Sequence, residues 1–242
     1  MKKLSLLASI FLFFSFTNYK GKKNYPRVKN AYSEKWENLK SLLASKGIDD
    51  SDLEIYLRAF KMEGKFEVWG KSRNKKDSKF VLIKTYDICK SSGVLGPKRK
   101  EGDKQVPEGF YNITTYNPTS AYYLGMLVNY PNKSDLIRSD KTRPGGSIMI
   151  HGDCVTIGCI PLTDEYIKEV YILCLESSKN GENVRVDIFP CHFDEKNEKI
   201  ISKFPKETQS FWNEIKPAYY KFNKEKTLCH FKVLNDGSYS ID

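Results

Sequence analysis

Histidine is rare in this chain, and the paired cysteines of common metal sites are missing. Its 242 residues contain three histidines, His151, His192 and His230. The six cysteines include no C-x-x-C pair, so a structural zinc site is not expected. Neither a Gly-rich phosphate loop nor an RNA-binding signature accompanies the scattered lysines and arginines. Nucleic acid is therefore not expected as a partner.

Long apolar runs are equally scarce. Leu4–Phe16 is a 13-residue apolar stretch, which is too short to cross a membrane comfortably as a helix. Two lysines precede it and polar, basic sequence follows from Thr17, which is the pattern of a secretory signal. We predict a signal peptide over residues 1–20 and export to the periplasm or cell envelope, with an uncleaved membrane anchor as the alternative. Because no cysteine precedes Cys89, a lipid-anchored N-terminal cysteine is excluded.

The composition is that of a globular protein with a basic surface. Hydrophobic residues make up 40% of the chain and aromatic residues 13%, which excludes a disordered chain. The many Tyr and Phe residues favour strands with half-buried faces. Lys and Arg exceed Asp and Glu by 40 to 30, giving a net charge of +10. This excess is either a solubilising surface or an attraction to a polyanion, such as a cell wall that carries carboxylates and phosphates.

Beyond the predicted signal, the chain divides into three parts. Residues 21–52 contain a basic leader and then an amphipathic helix over Ala31–Lys46. Residues 53–190 are rich in strand signals and form the main domain. Residues 191–242 form a helical C-terminal extension, with a helix near Thr208–Lys221. The simplest fold class is therefore mainly β with α extensions.

Strand patterns dominate the main domain, and a single helix interrupts them. The strands are predicted over Leu53–Phe60, Phe66–Trp69, Phe80–Tyr86, Phe110–Tyr116, Ala121–Tyr130, Ser147–Ile150 and Val184–Phe189. The helix follows Pro161-Leu162 and is capped by Thr163 or Asp164. Its buried stripe consists of Ile167, Val170, Tyr171 and Cys174.

A histidine and a cysteine lie close together in the most informative segment. The strand Ser147–Ile150 leads to His151, and Cys159 follows eight residues later with Gly158 before it. A nearby imidazole can accept the proton of a nucleophilic thiol, and an ion pair would lower the thiol pKa and raise that of the imidazole. A glycine there lets a substrate carbonyl approach the backbone N–H groups. The spacing alone also fits a buried cysteine and a core histidine.

The wider motif resembles the active-site signature of the L,D-transpeptidase catalytic domain. His151-Gly152, followed by Thr156-x-Gly158-Cys159-Ile160-x-Leu162, is similar to the family's upstream His-Gly and downstream Ser/Thr-x-Gly-Cys-Ile-Arg-Leu. A second block, from Gly96 to Tyr111, is similar to the family's Gly-Asp-x-x-Thr-Pro-x-Gly-x-Tyr segment. Thr163-Asp164 after the motif resembles a compact periplasmic branch of the family. The resemblance covers roughly residues 53–190.

The resemblance implies both a fold and a set of site residues. The implied fold is a twisted β-sandwich with a helix after the cysteine loop. Cys159 carries over as the nucleophile and His151 as the general acid and base. Gly158, Thr156 and Gly152 would lie at the oxyanion or substrate-binding site. The implied chemistry requires no metal and no organic cofactor.

Two positions depart from the family's common pattern. Its second histidine, two residues before the cysteine, is Ile157 here, and the arginine that follows the isoleucine is Pro161. In the common form that arginine helps to shape the pocket. The resemblance therefore implies thiol acyl chemistry more directly than it implies transpeptidation.

Two features near the motifs each allow two interpretations. Cys154 lies five residues before Cys159 and is either a packed, spare thiol or a redox partner that traps an oxidised Cys159 as a disulfide. Lys98 and Arg99 belong either to a solvated loop or to a substrate rim that binds the carboxylates of a stem peptide.

The implied function is peptidoglycan modification through a thioester. Cys159 would attack the carbonyl beside a diaminopimelate residue of a stem peptide, and His151 would protonate the leaving amine. The acyl group would then pass to an amine in transpeptidation. Passage to water would give an L,D-carboxypeptidase or an amidase that releases a wall-linked lipoprotein. A decayed wall-binding module and an unrelated Cys–His peptidase are the alternatives from other classes.

The partners expected on this basis are peptidoglycan stem peptides, with a wall-linked lipoprotein as a second candidate. A membrane is expected as a partner only if the signal stays uncleaved.

Overall fold

The structure is a computed structural model that describes residues 21–179 and 181–242. The predicted signal peptide over residues 1–20 lies outside the described residues. Inside the described ranges, none of the helices combines the length and the apolar character that crossing a lipid bilayer requires.

One curled, mixed sheet of eight strands forms the centre of the molecule. In chain order the strands are β1 (Leu53–Phe60), β2 (Lys65–Ser72), β3 (Val81–Asp87), β4 (Gly109–Asn117), β5 (Gly125–Val128), β6 (Met149–His151), β7 (Ile160–Pro161) and β8 (Arg185–Phe189). Their spatial order is β3-β2-β1-β8-β4-β5-β6-β7. The pairs β1–β8 and β6–β7 are parallel, and the other neighbouring pairs are antiparallel. The mainly β class with α extensions is confirmed.

Within residues 21–179 and 181–242, five helices and a small second sheet surround the central sheet. The helices are α1 (Pro26–Ser45), α2 (Lys133–Arg138), α3 (Asp164–Ser177), α4 (Glu195–Ile201) and α5 (Lys206–Glu225), with a short 3-10 turn at Asp50–Asp52. The second sheet pairs β9 (Phe231–Val233) with β10 (Tyr239–Ile241). α1 packs on α3 and α3 packs on β1, so the helix that follows the cysteine loop lies between the sheet and the N-terminal helix.

α3 confirms the predicted helix and its buried stripe. The Thr163 hydroxyl accepts a hydrogen bond from the Tyr166 N–H, which satisfies one of the free N–H groups at the helix start. All four predicted stripe residues are fully buried: Ile167, Val170, Tyr171 and Cys174. Since burying one large apolar side chain stabilises by about 1.5–3 kcal/mol, this face holds the helix start firmly beside the cysteine loop.

Both ends of the chain differ from the sequence-based expectation. α1 begins at Pro26 rather than Ala31, because a proline suits the first turn of a helix, where its missing N–H costs nothing. The end of the predicted leader is therefore helical. The C-terminal extension contains β9 and β10 beside its helices, so it is not purely helical.

Three short elements also differ from the prediction. β5 covers only four residues of the predicted strand Ala121–Tyr130. α2 was not predicted, although Asn132 and Asp135 form a capping box at its start. β7, at Ile160–Pro161, contains only two residues and is too short to leave a periodic pattern.

A buried ion pair connects the second motif block to the C-terminal extension. The Lys61 ammonium lies 2.9 Å from the fully buried Glu108 carboxylate. Glu108 also accepts hydrogen bonds from the Trp212 indole at 2.6 Å and from the Gly96 N–H at 2.8 Å. Because these charges have close partners, they are tolerated inside the protein. Residues 191–242 therefore pack against the main domain through specific polar contacts as well as apolar ones.

Candidate active site

The parallel pair β6–β7 brings the two motif residues to one edge of the sheet. His151 is the last residue of β6 and pairs with Pro161, while Ile150 pairs with Ile160. Cys159 directly precedes β7 and therefore lies beside the start of β6. The loop over residues 152–159 connects the two strands, so the sequence separation of eight residues is closed by backbone pairing.

The Cys159 thiol is partly exposed and has two backbone contacts. Its sulfur accepts a hydrogen bond from the Met149 N–H at 3.4 Å and lies 3.8 Å from the Ser147 carbonyl oxygen. Cys174, Cys191 and Cys229, the other free cysteines, are buried. Among the free thiols, Cys159 is therefore the one that a substrate can reach.

Thr156 holds the turn that presents Cys159. Its hydroxyl donates to the Cys159 carbonyl at 2.8 Å and accepts from the Gly158 N–H at 3.1 Å. Gly158 has φ +140°, and a Cβ there would lie 3.1 Å from the Gln105 carbonyl oxygen. Only glycine fits this backbone shape and this close approach. Thr156 thus shapes the turn before Cys159 through its own side-chain hydrogen bonds.

The backbone N–H groups in this turn are not equally free. The Gly158 N–H is engaged by Thr156, and the Gly152 N–H donates to the Leu124 carbonyl at 3.0 Å. The Cys159 N–H has no acceptor among the described residues. The Cys159 N–H is therefore available for a substrate oxygen, whereas those of Gly158 and Gly152 are engaged within the protein.

His151 is almost completely buried, and its ring is held on two sides. Its Nδ1 lies 2.5 Å from the Gly152 carbonyl oxygen. A carbonyl can only accept, so Nδ1 carries the proton and Nε2 is left as the basic nitrogen of the neutral ring. The Tyr122 ring packs against the imidazole with centroids 4.6 Å apart. This arrangement fixes both the tautomer and the plane of the ring.

Burial acts against an ion pair at this site. Desolvation raises the pKa of the Cys159 thiol above its ordinary value, although the Met149 N–H and the Lys98 charge work in the opposite direction. Desolvation likewise lowers the pKa of His151, with the Gly152 carbonyl opposing it. The two shifts run opposite to those of a thiolate–imidazolium pair. Both shifts favour the neutral forms, a protonated Cys159 thiol and an uncharged His151 imidazole.

Asp164 fixes the other end of the histidine turn. Its Oδ1 accepts a hydrogen bond from the Asp153 N–H at 2.9 Å. A Cβ on Gly152 would lie only 2.6 Å from the same oxygen and 3.1 Å from the Tyr122 carbonyl oxygen. Gly152 is thus required for close packing against the start of α3, and its contribution to the site is steric.

Cys154 is bonded to Cys89, which corrects both earlier interpretations of it. The two residues form a disulfide with Cα atoms 5.6 Å apart and a sequence separation of 65. Cys154 is therefore neither a spare thiol nor a disulfide partner of Cys159. The bridge attaches the exposed part of the 152–159 loop to the segment after β3. The Cys89 N–H also donates to the Pro161 carbonyl at 3.2 Å.

We expect this bridge to stabilise the fold. Replacing both cysteines, as Cys89→Ser with Cys154→Ser, should lower the free energy of unfolding by about 2–4 kcal/mol, since the bridge restricts the unfolded chain. Denaturant titration of the oxidised wild type, the reduced wild type and the double variant measures this difference. The reduced wild type and the variant should unfold together at lower denaturant. Equal midpoints for the variant and the oxidised wild type would contradict the bridge.

Lys98 is buried and Arg99 is partly exposed, and both cations have acidic partners. Lys98 is 4% exposed, and its ammonium contacts the Asp103 carboxylate at 2.5 Å and the Lys100 carbonyl at 2.9 Å. Arg99 lies 3.5 Å from the Asp135 carboxylate and packs on the Phe211 ring. Burial and the Asp103 contact argue against a rim role for Lys98, whereas a rim role for the partly exposed Arg99 stays a prediction. Lys98 acts on the site through its charge, which favours the Cys159 thiolate.

Four residues around the site were not identified from the sequence. Tyr122 packs on the His151 ring, and the Gln105 carbonyl lies close to Gly158. Asp164 accepts a hydrogen bond from the Asp153 N–H, and Cys89 is the disulfide partner of Cys154. Gln105 lies within the second motif block and Asp164 was predicted as a possible helix cap, so the sequence had indicated the segments that contain them. Tyr122 and Cys89 come from loops whose approach depends on the tertiary fold.

The other two histidines lie in the C-terminal part of the chain. The His192 ring stacks on Phe60 at a centroid distance of 3.8 Å, and its Nδ1 lies 3.3 Å from the Tyr219 hydroxyl. The backbone carbonyl of His230 accepts from the Asp242 N–H. Neither contacts the cysteine loop in the described structure, which leaves His151 as the imidazole of this site.

Comparison with known proteins matches this chain to one family in sequence. Residues 73–188 match the family model described as YkuD, the L,D-transpeptidase catalytic domain. YafK of Escherichia coli strain K12, which carries an unconfirmed assignment as an L,D-transpeptidase, is 33% identical over 192 residues. That alignment covers 77% of this chain and 73% of YafK. The YafK protein of Escherichia coli O157:H7 gives the same values.

Solved structures show more distant likenesses. The helical cell shape determining protein Pgp2 of Campylobacter jejuni is 17% identical, with a TM-score of 0.46 and 80% of each chain covered. A lysine-to-alanine variant of Pgp2 is 21% identical, with a TM-score of 0.46, and covers 62% of this chain and 54% of that chain. This chain thus spans about half the length of that variant. Bd1075 of Bdellovibrio bacteriovorus is 21% identical, with a TM-score of 0.40. The match covers 72% of this chain and 60% of the Bd1075 chain.

Proposed function

This chain belongs to the L,D-transpeptidase catalytic domain family, and from that premise we propose that it is a peptidoglycan-modifying thiol acyltransferase. Its substrates would be diaminopimelate-containing stem peptides, with Cys159 as the nucleophile and His151 as the general acid and base. The observation that carries this proposal is the site geometry: a reachable thiol, a free N–H on the same residue, and a buried imidazole of fixed tautomer at the end of the neighbouring strand.

Acylation would follow from the neutral pair. His151 Nε2 takes the thiol proton as the Cys159 sulfur bonds to the carbonyl carbon beside diaminopimelate. The carbonyl oxygen becomes an oxyanion and accepts from the Cys159 N–H. The C–N bond then breaks, and the imidazolium gives its proton to the leaving amine. The product is a thioester on Cys159 and a free amine.

Deacylation decides whether the enzyme transfers or hydrolyses. An acceptor amine or a water attacks the thioester, His151 removes the proton of the attacking group, and the thiol is regenerated. Partial exposure of Cys159 leaves the sulfur open to solvent. This openness favours hydrolysis as the second candidate function, with release of a wall-linked protein or of a terminal residue as its forms.

Muropeptide analysis tests the proposal. Purified protein is incubated with sacculi, and the soluble and digested products are separated and weighed by mass spectrometry. New cross-linked or amine-exchanged muropeptides support transfer, and shortened stems or released peptide support hydrolysis. Identical muropeptide patterns with the wild type and with buffer would contradict the proposal. The pattern also identifies the acceptor.

Export is a separate prediction that rests on residues 1–20. We expect protein recovered from the envelope fraction to begin after the apolar run Leu4–Phe16, because signal peptidase removes such segments. N-terminal sequencing of the recovered protein measures this directly. Full-length soluble protein in the cytoplasm would refute export, and full-length protein in the membrane fraction would indicate an uncleaved anchor.

A further inference from the structure

A small cavity opens beside the Cys159 thiol. Its volume is about 190 Å³, and its walls are mostly apolar, formed in part by Ile88, Val94, Leu95 and Val106. Pockets for drug-sized ligands usually measure about 300–1,000 Å³. This cavity is smaller, so it suits one amino-acid residue of a peptide rather than a sugar of the glycan strand.

Two lysines line the cavity, and only one of them has a free charge. The Lys61 side chain is 8% exposed and its ammonium is paired with Glu108. It also donates to the carbonyl groups of Gly96 and Val106. Lys90 is exposed and makes no hydrogen bond or ion pair with the described residues. The cavity therefore has one unneutralised positive charge, at Lys90.

The backbone at Lys90 is fixed relative to the nucleophile. The preceding residue, Cys89, is bonded to Cys154 of the cysteine loop. The Cys89 N–H also donates to Pro161, two residues after Cys159. The side chain of Lys90 can move, but its Cα stays beside the loop and strand that carry Cys159. The hydroxyl-bearing residues Ser91 and Ser92 line the same cavity.

We propose that Lys90 is a specificity-determining residue that selects acyl donors with a carboxylate next to the scissile carbonyl. The proposal rests on the proposed function of the Cys159 site. An ammonium is a compact positive charge with three donors, which a carboxylate can accept. A stem peptide offers two suitable groups, the side-chain carboxylate of diaminopimelate and the terminal carboxylate of the leaving residue.

The test uses Lys90→Met, which keeps most of the apolar stem and removes the charge. Lys76→Met is the matched control, since Lys76 is an exposed lysine in the turn between β2 and β3 and does not line the cavity. Both variants carry the same change in net charge. Any effect of the overall field should therefore appear in both, and an effect of the cavity only in Lys90→Met.

Three synthetic donor peptides separate the two carboxylates. One has both groups free, one has the diaminopimelate carboxylate as a carboxamide, and one has the terminal carboxylate as a carboxamide. For the wild type we expect kcat/KM to fall about tenfold on amidation of the group that Lys90 binds, as for a partly exposed charged hydrogen bond. Lys90→Met should lose this preference through KM, and Lys76→Met should keep it.

A second readout does not need turnover. Iodoacetate carries a carboxylate and iodoacetamide is its neutral counterpart, and both alkylate an accessible thiol. Mass spectrometry of the peptide that contains Cys159 measures both rates. The rate with iodoacetate divided by the rate with iodoacetamide should fall in Lys90→Met and stay unchanged in Lys76→Met. This ratio tests the role of Lys90 even if no stem peptide is turned over. In that case the proposed function fails, and the alkylation ratio alone decides whether Lys90 binds a carboxylate.

Loss of the carboxylate preference in Lys90→Met alone supports the proposal. A wild type without any carboxylate preference overturns it, and so does a Lys90→Met variant that keeps the preference. Equal losses in Lys90→Met and Lys76→Met also overturn it, because the charge would then act through the overall field rather than in the cavity.

Discussion

Cys159→Ala should abolish turnover of stem peptides. Removal of the nucleophile leaves no group to carry the acyl intermediate, so we expect a loss on the order of 10⁵-fold or more in kcat. The fold should persist, because one sulfur atom is removed from a partly exposed position. A stability loss of about 1 kcal/mol is typical for such a change. Circular dichroism and denaturant titration check the fold, and product release checks the activity.

The matched control is the double variant Cys89→Ser with Cys154→Ser. It removes the bridge that holds the loop but leaves Cys159 in place. We expect this variant to be less stable and to retain turnover. If Cys159→Ala stays active while the double variant is inactive and folded, the nucleophile has been assigned to the wrong cysteine.

His151→Ala should reduce turnover by about 10²–10⁴-fold, the usual contribution of a general acid–base group. The variant loses both the acceptor for the thiol proton and the donor for the leaving amine. Binding of stem peptide should remain, since His151 is almost completely buried. The loss should therefore fall on kcat rather than on the dissociation constant of the stem peptide. Equilibrium binding, with and without His151→Ala in the Cys159→Ala background, measures that dissociation constant.

The pH dependence of thiol alkylation tests the role of His151 directly. The imidazole works as a base only when neutral, and desolvation lowers its pKa below the usual 6.5 or so. The wild-type rate should thus persist into mildly acidic solution and fall only below that range. His151→Ala should lack this reactivity in mildly acidic solution and should react only as the thiol ionises. Because burial raises the Cys159 pKa, that ionisation occurs at higher pH. Superimposable profiles would show that His151 does not activate the thiol.

The sequence predicts most of the regular elements because their apolar periodicity matches their environment. β1 was predicted over its full range, and α3 was predicted with its cap and buried stripe. The short elements were missed because a pair such as Ile160–Pro161 is stabilised by its partner strand rather than by its own pattern. The hairpin β9–β10 belongs to the same class, since its first strand is only three residues long.

The site shows the same division between local and long-range information. Local motifs predicted Cys159, His151 and Gly158 as site residues, because a turn that presents a reactive thiol restricts residue type within a few positions. The pairing of Cys89 with Cys154 spans 65 residues, and no local pattern specifies it. The directions of the pKa shifts of His151 and Cys159 also depend on burial by the complete fold, and no local pattern specifies that burial.

Mass spectrometry of the acyl-enzyme tests the central claim most directly. The wild-type protein is mixed with a donor stem peptide, quenched in acid within the first turnovers, and digested. We predict that the peptide containing Cys159 gains the mass of the donor acyl group as a thioester that hydroxylamine removes, and that His151→Ala accumulates it far more slowly. Turnover without any adduct on Cys159, or an adduct on another residue, would contradict the account.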